Sequence, residues 1–187
     1  MSTIDFGPKV IYRTGLTYNN TSALQKSGNA DQNLDDELGI IRFVLVSTAG
    51  WQTFKFVQVA TGTTVANGTV LVYGAAAGDT TAPAVNRTIV TDDISDQKQN
   101  GVAGVGIGAI TAASYGWIQL TGYHSVVKTN GDDDIAYGDV LIVDSTTDGT
   151  CNSVAAGTAP THIVLGVARA ADVDADNTVA AWLMVSP

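Results

Sequence analysis

At 187 residues the chain is long enough for one domain or two small ones with a real core. It is 45% hydrophobic but only 14% charged, against roughly 25% in ordinary soluble domains. A formal charge of −9 argues against a nucleic-acid partner, because phosphate binding needs clustered Lys and Arg. No apolar run approaches the roughly 18–20 residues of a membrane span, and with Cys151 as the one cysteine an intrachain disulfide is excluded.

Residues 1–37 are polar, rich in Asn, Ser, Thr and Gln, and their apolar residues (Val10, Ile11, Tyr12, Leu16 and Tyr18 among them) are thinly spread. That composition predicts an extended N-terminal arm that borrows a partner surface to become ordered. The first residues, MSTIDFGPKVIYRTG, lack the basic start and apolar stretch of a signal peptide, so the expectation is assembly in a cytoplasm. Asn19, Asn20, Asn67 and Asn86 fit glycosylation sequons and are read as turn residues. A short helix over 30–38 with Asp31 as its cap is the one helical expectation.

From Gly39 onward the signal is β. Ile40–Val46 and Thr53–Val59 are rich in β-branched and aromatic residues, as strands require. Thr69–Tyr73, Val102–Ile107, Trp117–Leu120, Val140–Val143, Ile163–Val167 and Val179–Val185 follow. Ala66-Asn67-Gly68, Asn130-Gly131-Asp132 and Asp148-Gly149 break the chain between them. No long segment carries helical periodicity, so the fold class is all-β: a small β-barrel or β-sandwich body over 38–187.

The stretch Asn100–Ala109, NGVAGVGIGA, has the glycine density of a phosphate-binding loop but not its offsets. A P-loop closes on Lys-Ser or Lys-Thr, whose ammonium pairs with the outer phosphates, and no lysine follows before Lys128. The dinucleotide fingerprint needs its third glycine where Ala109 stands, and a helix after it; a strand pattern follows instead. The glycines find a better explanation in internal repetition. Val102-Ala103-Gly104-Val105-Gly106 recurs as Val164-Leu165-Gly166-Val167-Ala168, and Val65–Val72 matches Ile135–Ile142. Phe56–Val59 aligns with Trp117–Leu120, and Trp182–Val185 closes the second unit as Trp117–Leu120 closes the first. The spacing, about 60–70 residues, exceeds the usual solenoid repeat and predicts two related β-units, about 51–120 and 117–187, sharing a strand near Trp117. Gly104 and Gly166 then mark a bend or close backbone approach.

Candidates for chemistry are sparse. The histidines are His124 and His162, and no G-x-S-x-G elbow is present; a hydrolase built on either is the rival from a different class. Cys151 sits between Thr150 and Asn152 without basic neighbours and reads as a spare thiol in a polar loop. Asp172-Val173-Asp174-Ala175-Asp176-Asn177 copies the first half of an EF-hand loop, but Leu183 occupies the twelfth position where a bidentate Glu belongs. A solvated hairpin turn is the preferred reading there, with calcium binding at Asp172–Asp176 the alternative. Asp132-Asp133-Asp134 reads as a charged loop tip. No catalytic, cofactor-binding or metal-ligating residue is assigned.

The glycine run Gly101–Ala109, the Ala-x-Gly-Asp-Val-Leu phrase at Ala136–Leu141 and the closing stretch from Gly166 to Val185 resemble the capsid decoration (cement) proteins of tailed bacteriophages. The resemblance covers about residues 50–187. It implies a non-enzymatic virion protein with a short β-barrel or sandwich body on the outer surface of the capsid. It further implies a homotrimer that binds the major capsid protein and stabilises its lattice. The family has no catalytic residues to carry over, and the arm lies outside the shared pattern. The alternative within the virion is a head fibre base or tail protein, with host-surface or glycan binding through Trp51, Tyr115, Trp117 or Tyr123.

Overall fold

A computed structural model describes residues 38–74, 88–93, 101–131, 135–154, 158–160, 163–172 and 177–186. The expected arm and its short helix therefore lie outside the described residues, apart from Leu38. What is described is all-β. Ten strands join in one sheet: β1 Ile41–Val46, β2 Gly50–Val59, β3 Val70–Tyr73, β4 Ile89–Thr91, β5 Val102–Gly106, β6 Tyr115–Lys128, β7 Val140–Val143, β8 Cys151–Val154, β9 Val164–Ala168 and β10 Thr178–Met184.

The sheet closes on itself. β2 pairs in parallel with β4 at Gln58↔Ile89 and Val59↔Val90. From β4 the ladder runs antiparallel through β3, β5 and β6, and β6 returns antiparallel to β2. The five strands make a small barrel. Beyond it, β6 pairs with β10, β10 with β9, β9 with β7 and β7 with β8, all antiparallel. A parallel bridge, Thr129↔Cys151, brings β8 back to the end of β6. The second ring repeats the first, with β6 in the place of β2.

The repetition extends to single hydrogen bonds. Leu71 lies opposite Gly104 and Leu141 opposite Gly166, and each ladder slips just after that pair. Gly68 N–H donates to the Gly106 carbonyl at 2.8 Å, as Gly138 N–H does to Ala168 at 3.0 Å. The turn before each inner strand is tied by a side chain: Ala66 N–H donates to Thr69 Oγ1 (3.1 Å), and Ala136 N–H to Asp139 Oδ2 (2.8 Å). That bond is why the Ala-x-Gly-Asp phrase tolerates Thr in the other copy: either oxygen accepts the same amide.

Two of the aligned phrases are corrected by the register. Phe56–Val59 does not correspond to Trp117–Leu120; it runs antiparallel beside the residues leading up to Trp117, with Phe56 opposite Trp117 and Gln58 opposite Tyr115. In the closing strands Val105 faces Gln119 and Val167 faces Trp182, so Gln119 corresponds to Trp182, two residues away from the Trp-to-Trp alignment. Similar side chains occur there because both stretches are half-buried strands, not because they hold the same place.

The main core cluster runs through both rings, from Val57, Leu71 and Val105 to Leu141, Leu165 and Leu183, and Phe56 and Tyr115 form a smaller one. β3 is buried along its whole length, which is why Val-Leu-Val-Tyr is an unbroken apolar run rather than an alternating one. Truncating Leu71 or Leu141, both 0% exposed, to Ala removes packing worth about 2–5 kcal/mol.

Candidate functional site: an apolar sheet face

At the middle of the long shared strand, four strands present a common face. Phe43 of β1 pairs with Thr53 of β2, Thr53 with Thr121 of β6, and Thr121 with Met184 of β10. Residues directly opposite across a ladder share a face. Thr121 Oγ1 donates to Thr53 Oγ1 at 2.8 Å, which places both side chains on the same side across the register slip there. One step along, Leu45 pairs with Trp51 and Tyr123 with Trp182. The Trp182 ring reaches across to β2, 3.9 Å from where a Cβ on Gly50 would stand. Phe43, Leu45, Trp51, Trp182 and Met184 are all exposed, by 42–65%. Single exposed apolar residues are ordinary, but a contiguous set marks a contact surface.

This face was not identified from the sequence, and the reason is physical. Ile41–Val46 is apolar at every position but Arg42, so period-two alternation cannot tell its outer side from its inner one. In β10 the signal was present: exposed Trp182 and Met184 alternate with buried Ala181 and Leu183.

The four aromatics named for surface binding do not form one platform. Trp51 is on the apolar face, but Tyr115 is 2% exposed and stacks with Phe56, ring centroids 6.2 Å apart. Trp117 leans on the same Phe56 ring at 5.2 Å, and Tyr123 is half-buried on β6.

His124 is buried on β6; its Nδ1 accepts Val126 N–H at 3.2 Å, and it also bonds the Gly106 backbone. Burial holds its pKa below the ordinary 6.5 against the opposing pull of those two bonds. Lys55 occupies the corresponding place in the first ring: Lys55 faces Ile118, and His124 faces Ala181. Its Nζ donates to the Tyr73 hydroxyl at 3.0 Å and lies 4.9 Å from that ring's centroid. This buried contact was not expected from the sequence. His162 lies outside the described residues.

Cys151 is not in a loop, as the polar neighbours implied; it opens β8 and is fully buried. Burial raises its pKa far above the thiol range, with the charges of Asp172 and Asp144 adding to the effect. Asp144 is 1% exposed. Burial pushes its carboxyl up, but bonds from the Thr146 hydroxyl (2.7 Å), the Thr146 and Thr147 amides and Asn130 Nδ2 (2.7 Å) outweigh it, and the pKa ends below 3.8. Asp172 Oδ2 accepts from Thr129 Oγ1 at 3.0 Å, while Oδ1 is buried with no hydrogen-bond partner among the described residues. Asp174 and Asp176 of the EF-hand-like run, and Asp132–Asp134, lie outside the described residues. Among those described, no group of three His, Cys, Asp or Glu side chains could hold a metal ion. A depression of about 180 Å³ lies beside Tyr73, Val102, Ile163 and Val185, smaller than the roughly 300–1,000 Å³ of small-molecule sites.

No family model matches the chain, and no curated protein matches it. Among solved structures it is similar to the head fibre gp8.5 N base in bacteriophage phi29, at 16% identity with a TM-score of 0.43. The match covers 70% of this chain and 93% of that one. A likeness of that size carries no inference about what this chain does.

Proposed function

We propose that the chain is a structural, non-enzymatic virion protein of a tailed bacteriophage that decorates the outer surface of the capsid. In this reading it binds the major capsid protein, associates with itself as a homotrimer and stabilises the lattice. The observation that carries the reading is the apolar face of Phe43, Leu45, Trp51, Trp182 and Met184. Its large side chains suit burial against protein. The sparse charge of the chain and the resemblance of its Gly101–Ala109 and Ala136–Leu141 phrases to cement proteins support it further. Such a protein works by contacts made only in the assembled state, which stabilise that state by mass action, and many copies on a symmetric shell make modest contacts add up.

Virion fractionation with quantitative mass spectrometry tests the reading. A decoration protein travels with heads at a copy number commensurate with the capsid lattice. The alternative, a head fibre base or tail protein with host-surface or glycan binding, gives a few copies per particle. A protein absent from particles overturns both.

A further inference from the structure

The strand that opens the described fold has a free edge among the described residues. Among the described residues β1 pairs with β2 alone. It carries one charge, Arg42, no proline and no slip in its register, and it presents Phe43 and Leu45, 65% and 56% exposed. Sheets blunt their edges with charges, proline or bulges because a flat apolar edge accepts another strand. An edge left bare beside an apolar face is a place for strand addition.

We propose that its occupant is residues 9–18 of a neighbouring copy of this chain, added as a strand along β1 with its apolar side chains beside Phe43 and Leu45. Three features of the chain select that segment. First, Val10, Tyr12, Leu16 and Tyr18 fall on alternate positions with Thr14 between, so an extended backbone places all of them on one side. Second, arm and body carry opposite net charge: residues 1–30 hold Lys9, Arg13 and Lys26 against Asp5 alone, while residues 31–187 hold 6 cations and 17 anions, the one charge on β1 itself being Arg42. Third, the spacer is long. A hairpin back onto the same chain's β1 uses about 2–5 loop residues, whereas residues 19–37 are polar and extend up to ~65 Å. A body the size of residues 38–187 has a radius of gyration of only about 15 Å, so the spacer reaches a second body. Passing one arm to the next copy is a head-to-tail contact, which closes into a ring when the rotation allows.

The inference rests on the reading of the chain as an assembly component, but its test uses no capsid. Two full-length variants are compared by light scattering: Val10→Asp/Leu16→Asp in the arm and Phe43→Lys/Leu45→Lys on the face. Thermal melts establish that both stay folded, as substitutions at exposed or arm positions allow. Wild type is expected at an integral multiple of the single-chain mass, and each variant alone at the mass of one chain. Mixed in equal amounts, the variants are expected to rise twofold, because the intact arm of the face variant finds the intact face of the arm variant. Wild type at single-chain mass, a variant that keeps the wild-type mass, or a mixture that stays at one chain overturns the proposal. Failure here with normal lattice stoichiometry in virions leaves the capsid reading standing; success here with no virion association overturns that reading alone.

Discussion

A Cβ placed on Gly104 would stand 2.6 Å from the Gln119 carbonyl oxygen, and one on Gly166 would run into the carbonyl of Trp182, the corresponding residue of the other ring. At both places the neighbouring backbone needs the space of the missing side chain, and Gly104 adds a φ of +146° that L-residues rarely adopt. Gly104→Ala and Gly166→Ala are each expected to cost about 1–3 kcal/mol, measured by denaturant unfolding; unchanged midpoints would make both ordinary strand positions. His124 and Asp144 each contribute to the response to acid. Folded His124 binds a proton more weakly than the unfolded side chain, so stability is retained above about pH 6.5 and falls as pH drops below it. Asp144 adds a second loss lower down, beginning below its ordinary 3.8 and continuing through its depressed folded value. His124→Gln is expected to flatten the melting temperature between pH 5 and about 6.5 relative to wild type, and a slope equal to wild type would assign that window to other groups. Cys151, buried with its pKa raised, is expected to resist a thiol reagent in the native protein and to react once unfolded; native reactivity would mean that β8 opens readily.

Element by element, the strands rich in Val, Ile and aromatics were legible, since β1, β2, β3, β5, β7, β9 and β10 fall within or beside the expected stretches. The two missed strands, β4 and β8, are the ones that pair in parallel and close the rings. β4 has three residues, and β8 is Cys-Asn-Ser-Val, too short or too polar for any periodicity to register. Their position is set by tertiary pairing, Val90 beside Val59 and Cys151 beside Thr129. Sequence patterning marks only Trp117–Leu120 of the fourteen residues of β6, because Thr121–Ser125 mixes Gly, His and Ser with Tyr and loses the β-branched signal. The repeat was visible through its glycines, which backbone geometry fixes, and misaligned through its aromatics, which only packing constrains. As the strand common to both rings, β6 is expected to hold the slowest-exchanging amides in native-state hydrogen exchange. Faster exchange across Trp117–Leu120 than in β7 or β9 would mean that the rings open independently.

At the scale of the whole molecule, two small barrels share one strand, and the conspicuous surface feature of the described residues is apolar. Among the described residues the histidine is bonded to backbone, the cysteine is in the core, and Asp144 is enclosed by amides and hydroxyls. The proposed role needs only surfaces and a lattice to repeat them on. The direct measurement is titration of purified protein onto capsids that lack it, following bound protein and DNA retention on heating. The account predicts saturation at a fixed, lattice-defined ratio, with heat resistance rising in step and unaffected by His124→Ala or His162→Ala. Absence of saturable binding, or loss of function in the histidine variants with binding intact, would contradict it.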